Sequence, residues 1–154
     1  MLEKVIAKAH PVSGLVVFHG YRNPKLKTMP IDIIYLSMDS MVTETELEIG
    51  ADLTEILIND TQPDTRTTKR INDYVRQFTE EDFRFRSWNN FDMAVGLASS
   101  ASGYAALAGA VNKALGLGYD NLDLSRLASK GAISAASSIA GGLSIIMASE
   151  VYNN

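Results

Sequence analysis

The sequence predicts an α+β domain on three observations. Short apolar or alternating segments of strand length fill most of the first 60 residues, segments of helix length appear only after Thr67, and one further alternating segment separates two of those helices. At 154 residues and 46% hydrophobic composition the chain can bury a core as one domain, residues 1–154, and no repeat or low-complexity linker divides it.

Val12 to Phe18 is apolar and of strand length, and Ile31 to Met38 is a second such run. The alternation Glu46-Leu47-Glu48-Ile49, the turn residues Gly50-Ala51-Asp52 and the run Leu53 to Ile58 predict a hairpin. Thr67 to Phe78 is an amphipathic helix, because Ile71, Tyr74, Val75 and Phe78 recur at i, i+3, i+4 and i+7. Phe83-Arg84-Phe85-Arg86 alternates as a strand whose arginines form a solvated face. Tyr104 to Leu117 is apolar on most sides and predicts a central helix, stopped by Gly116-Leu117-Gly118. A second helix starts at about Asp123, Ala135 to Ile139 packs as helix, and Gly141 to Met147 closes with a strand.

Composition narrows the function classes. Charged residues at 21% and a net charge of −4 argue against a nucleic-acid binder, which needs a concentrated basic face. Zero cysteines exclude disulfides and thiolate metal sites and fit a reducing compartment. His10 and His19 have no partner at metal spacing, so they read as structural and no metal site is expected. The start Met1-Leu2-Glu3-Lys4 lacks a signal-peptide core, and Tyr104 to Leu117 is too short for a bilayer and contains Asn112 and Lys113. A soluble cytoplasmic protein without a membrane partner is the expectation, and a homodimer is left open.

The chemistry concentrates in Asn89-Asn90-Phe91-Asp92-Met93-Ala94-Val95-Gly96-Leu97-Ala98-Ser99-Ser100-Ala101-Ser102-Gly103. Small residues let a backbone approach a ligand closely, and the helix that follows aims its positive dipole end at whatever sits there. Phosphate suits that geometry, with Gly96, Leu97, Ala98, Ser99, Ser100, Ala101 and Ser102 as the binding residues. It is neither a dinucleotide fingerprint nor a Walker loop.

This stretch resembles, without gaps, the motif N-N-F-P-T-A-A-G-L-A-S-S-A-A-G of the diphosphomevalonate decarboxylases, within the GHMP small-molecule kinase superfamily. Asp92 replaces its proline. His19-Gly20-Tyr21-Arg22-Asn23 through Pro30-Ile31 is similar to W-G-K-R-D…L-P-I, and Leu127 to Gly142 is similar to L-A-R-x-G-S-G-S-A-C-R-S-L-F-G-G. The resemblance implies the amino-terminal, ribosomal protein S5 domain 2-like half of that superfamily. It also implies a partner in the ferredoxin-like carboxy-terminal half, which this chain lacks and which carries the catalytic Asp, so the catalytic residue lies outside the chain.

The implied activity is decarboxylation of a phosphorylated mevalonate in isoprenoid synthesis, with Tyr21, Arg22 and Ser134 at positions that contact substrate. Tyr21 stands where the family has Lys, Asn23 where it has Asp, and Ser137 where it has a diphosphate-binding Arg. Neither tyrosine nor serine supplies the permanent charge those residues bring to a phosphate. Three enzymes therefore stay open: one using ATP and Mg²⁺, an archaeal type acting on mevalonate 3,5-bisphosphate without ATP, and a mevalonate 3-kinase. A non-catalytic binder of phosphorylated metabolites is the fourth reading. Tyr21 and Arg22 also fit a plain turn ahead of Asn23-Pro24.

Overall fold

The computed structural model describes residues 4–18, 20–24, 29–92 and 99–148. Alternation in the first half builds two sheets. The first consists of β1 (Lys4–Ala9), β4 (Thr43–Ile49), β6 (Phe83–Asn89) and β5 (Glu55–Ile58), in the order β1-β4-β6-β5. The second consists of β2 (Val12–Val16), β3 (Ile33–Ser37) and β7 (Leu143–Ile146), in the order β2-β3-β7. Four helices complete the domain: α1 (Thr65–Val75), α2 (Ser99–Ala114), α3 (Asn121–Gly131) and α4 (Ala135–Ala140).

The first sheet has one wet and one dry face, as alternating strands require. Its outer face is a lattice of opposite charges in which Lys8 meets Glu44 at 2.7 Å, Lys4 meets Glu46 at 3.1 Å, Arg84 meets Glu48 at 3.6 Å and Arg86 meets Glu55 at 3.0 Å. These are half-exposed pairs worth little each. Their value is register, because a slip of one residue would bring those charges inside. The inner face buries Leu47, Phe83 and Phe85 against α2, whose residues Tyr104 to Ala108, Ala110 and Val111 are nearly all inaccessible. The expectation of a central helix holds, and Ala and Gly along it let the sheet come close: a Cβ on Gly109 would already press on Ala7.

The predicted hairpin does not form. β6 lies between β4 and β5, antiparallel to the first and parallel to the second. Gly50 and Ala51 donate their amides to the Asp82 carbonyl, so the turn after β4 is held on the α1–β6 connection and cannot close back on its own strand. Charge favours the observed order, since Arg84 and Arg86 on β6 sit between glutamates of β4 and β5. β5, α1 and β6 thus form a parallel crossover unit. β1 is an additional strand, carried by the alternation of Val5, Ala7 and Ala9 inward.

Helix ends follow their caps rather than their apolar residues. α1 starts at Thr65 instead of Thr67 because Asp64 accepts from the Thr67 amide at 3.0 Å. It ends before Phe78, where Arg76 turns to the carbonyl of Glu81 at 2.7 Å and the carboxylate of Asp82 at 2.8 Å. α3 starts at Asn121, two residues before Asp123, because Asp120 caps the Asp123 amide at 2.9 Å. Gly116 and Gly118 adopt φ of 59° and 68° at the expected turn, a region glycine enters without strain.

The second sheet packs its inner face, Val12, Ile33 and Tyr35, on Met29 and on Ala101 in the first turn of α2. Its outer face is apolar and open. Register places Val16 beside Ile34, Ile34 beside Ile145 and Leu36 beside Leu143 on that face, and Leu143 and Ile145 are 67% and 59% exposed.

Gly131 at the end of α3 is required by space: a Cβ there would overlap the Tyr104 ring. Gly131→Ala is expected to destabilise the domain by about 1–3 kcal/mol through that overpacking, read as a lower urea midpoint with unchanged slope.

Candidate functional site

Among the described residues α2 begins at Ser99, and the helix dipole makes that end positive. Beside it opens a cleft of about 410 Å³ between α1, the end of β6 and α2. Its floor is apolar, made by Ile58, Ile71, Phe85, Tyr104 and Leu107, and its rim is polar, made by Gln62, Asp64, Thr67, Arg70, Asn89, Ser99 and Ser100. Such a cavity suits a flat, partly apolar body that carries a charged end.

Local chemistry holds the rim in place. After β5 the chain turns through Asn59 and Asp60, both at positive φ, the region that Asn and Asp tolerate best after glycine. The Asn59 side chain accepts from the Asn89 amide at 2.9 Å, and Trp88 Nε1 donates to Asp60 at 3.2 Å, so this turn is fixed to the end of β6. That places Asp64 over the cleft as the α1 cap. The Thr67 main-chain N–H, and then its hydroxyl, hold the Asp64 carboxyl below the usual carboxylate range. Opposite in sign, the Arg70 guanidinium lies 5.3 Å from the centre of the Tyr104 ring and donates to the Gly131 carbonyl at 3.2 Å. Burial, the larger influence, pushes the Tyr104 phenol up, while Arg70 opposes it.

Of the seven expected phosphate-binding residues, Gly96, Leu97 and Ala98 lie outside the described residues. Ser99 and Ser100 line the cleft. Ala101 and Ser102 do not: both are fully buried, Ala101 on the second sheet and Ser102 against Thr43 at 2.6 Å. Helical rotation explains the split, since residues 99, 100 and 103 share a side that 101 and 102 leave. Gly103 also lines the cleft, and a Cβ there would meet no atom within 4 Å, so packing does not demand glycine at that position.

Tyr21, Arg22 and Ser134 are not among the residues lining this cleft. Tyr21 and Arg22 are exposed beyond β2, and Tyr21 stands near enough to Tyr35 to add to the upward shift that burial, the larger cause, gives the Tyr35 phenol. Ser134 is 9% exposed at the start of α4, its carbonyl accepting from the Ser137 and Ser138 amides. Ser137 is buried, and its hydroxyl has no partner among the described residues. α4 packs on α2 and on the second sheet, so Ser134 lies on the side of α2 away from the cleft. His10 bonds through Nδ1 to the Met41 carbonyl at 2.7 Å, a structural contact, while His19 lies outside the described residues. No group of three or more potential metal-ligating side chains occurs among the described residues.

Over residues 9–153 the sequence matches the family described as the diphosphomevalonate decarboxylase-like N-terminal domain. The chain belongs to this family. A phosphomevalonate decarboxylase of Haloferax volcanii is 35% identical over 148 residues, 92% of this chain and 46% of that protein. Within the same family, the mevalonate diphosphate decarboxylase of Enterococcus faecalis, solved for its mevalonate diphosphate mediated ATP binding mechanism, superposes with a TM-score of 0.84 at 35% identity. It covers 96% of this chain and 48% of its own. A further solved relative, in complex with MVAPP, AMPPCP and magnesium, gives a TM-score of 0.84 at 35% identity over 96% of this chain and 47% of its own. The chain spans about half the length of the relatives it matches, and its mixed fold is their amino-terminal half. Among the described residues no helix is long and apolar enough to cross a membrane.

Proposed function

We propose that this chain is the amino-terminal half of a cytoplasmic decarboxylase that acts on phosphorylated mevalonate and uses ATP with Mg²⁺. The observation that carries the ATP-using version is the cleft itself, with its apolar floor and the open first turn of α2 at one end. The residues present fit a nucleotide: a flat base is accommodated by Ile71, Phe85, Tyr104 and Leu107, Arg70 supplies positive charge, and Ser99 and Ser100 bring hydroxyls at the positive end of α2. The space beside Gly103, into which no atom of the other described residues reaches, is part of that fit.

ATP supplies the phosphoryl group that turns the tertiary C3 hydroxyl of mevalonate into a leaving group. The chain's own part is to hold the phosphates at the α2 turn and keep the base out of water, while Tyr21, Arg22 and Ser134, which do not line the cleft, are offered to the substrate. Phosphate then leaves C3 as carbon dioxide departs, and the alkene forms. A single phosphate at C5 of the substrate is favoured over a diphosphate. Ser137, buried and uncharged, stands where the resemblance places the diphosphate-binding Arg, and the Haloferax relative is named a phosphomevalonate decarboxylase.

The second half of the enzyme is the partner, and the apolar outer face of β2-β3-β7 supports a place for it. Leu36, Leu143 and Ile145 would otherwise stay in water.

Carbon dioxide release by the full-length polypeptide that carries this chain tests the reading, with mevalonate 5-phosphate, 5-diphosphate and 3,5-bisphosphate, each with and without ATP. Release from the 5-phosphate only with ATP is expected. Release from the bisphosphate without ATP would replace the ATP reading, ADP without carbon dioxide would make the protein a kinase, and neither product would make it a binder. At the level of residues, Gly103→Ala is expected to raise helix stability by about 0.5–1 kcal/mol. Gly103→Val should fold yet weaken ATP binding by about tenfold or more in calorimetry, since its side chain fills the space left for the nucleotide.

A further inference from the structure

The first turn of α2 is pinned from behind by polar groups that no solvent reaches. Thr43 opens β4 and is 1% exposed, and Ser102 in α2 is 0% exposed. The Thr43 hydroxyl donates to the Asn89 side-chain oxygen at 2.6 Å, which leaves its own oxygen to accept from the Ser102 hydroxyl, also at 2.6 Å. Ser102 stands 3.2 Å from the Ser99 carbonyl, and the Asn89 amide donates to Asn59 at 2.9 Å. One chain of hydrogen bonds therefore runs from the turn after β5, through the ends of β6 and β4, into α2.

A hydroxyl buried between a strand and a helix is costly unless paired, and a methyl would fill the place more cheaply. What the hydroxyls add is direction. With Ser102 fixed to Thr43, the rotation of α2 about its axis is set, and Ser99, Ser100 and Gly103 are turned to the cleft. The same threonine holds Asn89, which lines the cleft from β6.

We infer that Thr43 is a positioning residue that aims the first turn of α2 at the ligand in the cleft, acting through Ser102 and Asn89. Its effect on binding rests on the nucleotide reading given above, whereas its effect on the helix does not. The test uses the full-length polypeptide that carries this chain with two readouts: affinity for ATP with Mg²⁺ by calorimetry, and hydrogen exchange of the peptide spanning residues 99–107 in the ligand-free protein.

Thr43→Val, which keeps the shape and removes the hydroxyl, is expected to weaken ATP binding by about tenfold and to speed exchange in that peptide. Thr43→Ser, which restores the hydroxyl and loses the methyl, should bind ATP within about threefold of wild type even where it melts earlier. Ser102→Ala removes the other end of the link with a good helix former, and should reproduce the valine effects if Thr43→Val fails to fold. Ser138→Ala, which removes a buried hydroxyl donated to the His10 carbonyl away from the cleft, should lower the melting temperature and leave both readouts unchanged.

Wild-type exchange and affinity in Thr43→Val, or losses in Ser138→Ala equal to those in Thr43→Val, would overturn the inference. Failure of the wild-type polypeptide to bind ATP would instead reject the nucleotide reading, and the exchange data would still decide the role of Thr43.

Discussion

Rotation of α2 about its axis governs this structure, because its first described turn has one side packed against the two sheets and the other side on the cleft. Behind the first turn lie Ala101 on the second sheet and Ser102 on Thr43, both closed to water. In front lie Ser99, Ser100 and Gly103 on the cleft. The charged face of the first sheet, the crossover through α1 and the turn at Asn59 and Asp60 all serve to keep those two sides apart. In the proposed reading a ligand's negative charge meets the turn and the apolar floor adds affinity to it.

Much of this was legible in the residues, for identifiable reasons. α1 was readable because its apolar positions repeat at helical spacing, and α2 because a run of helix length that is apolar on most sides must lie at the centre. The hairpin was misread because local alternation says that a segment is a strand and says nothing of its neighbour. The deciding contacts, Gly50 and Ala51 on Asp82 and the arginines of β6 between two rows of glutamate, come from distant residues. Asp64 and Arg70 carry no motif and reach the cleft only through the crossover. The inward turn of Ala101 and Ser102 could have been read from rotation alone, since a helix that shows residues 99, 100 and 103 to a ligand must turn 101 and 102 away.

Membership in the family explains why the domain is lopsided in its exposure. One sheet is finished, with a charged outer face, whereas the other presents Leu36, Leu143 and Ile145 to solvent. The relatives are about twice as long, and in the proposed reading their second half covers that face. On the same reading the departures at Tyr21, Asn23 and Ser137 fall on the substrate side.

The most direct measurement is the amide spectrum of the full-length polypeptide, ¹⁵N-labelled and titrated with ATP and Mg²⁺. The account predicts that Ser99, Ser100 and Gly103 shift most, together with Arg70 and Leu107, while the outer face of the second sheet stays still. Shifts confined to the surface away from α2, or no shift at those amides when ATP saturates the protein, would contradict it.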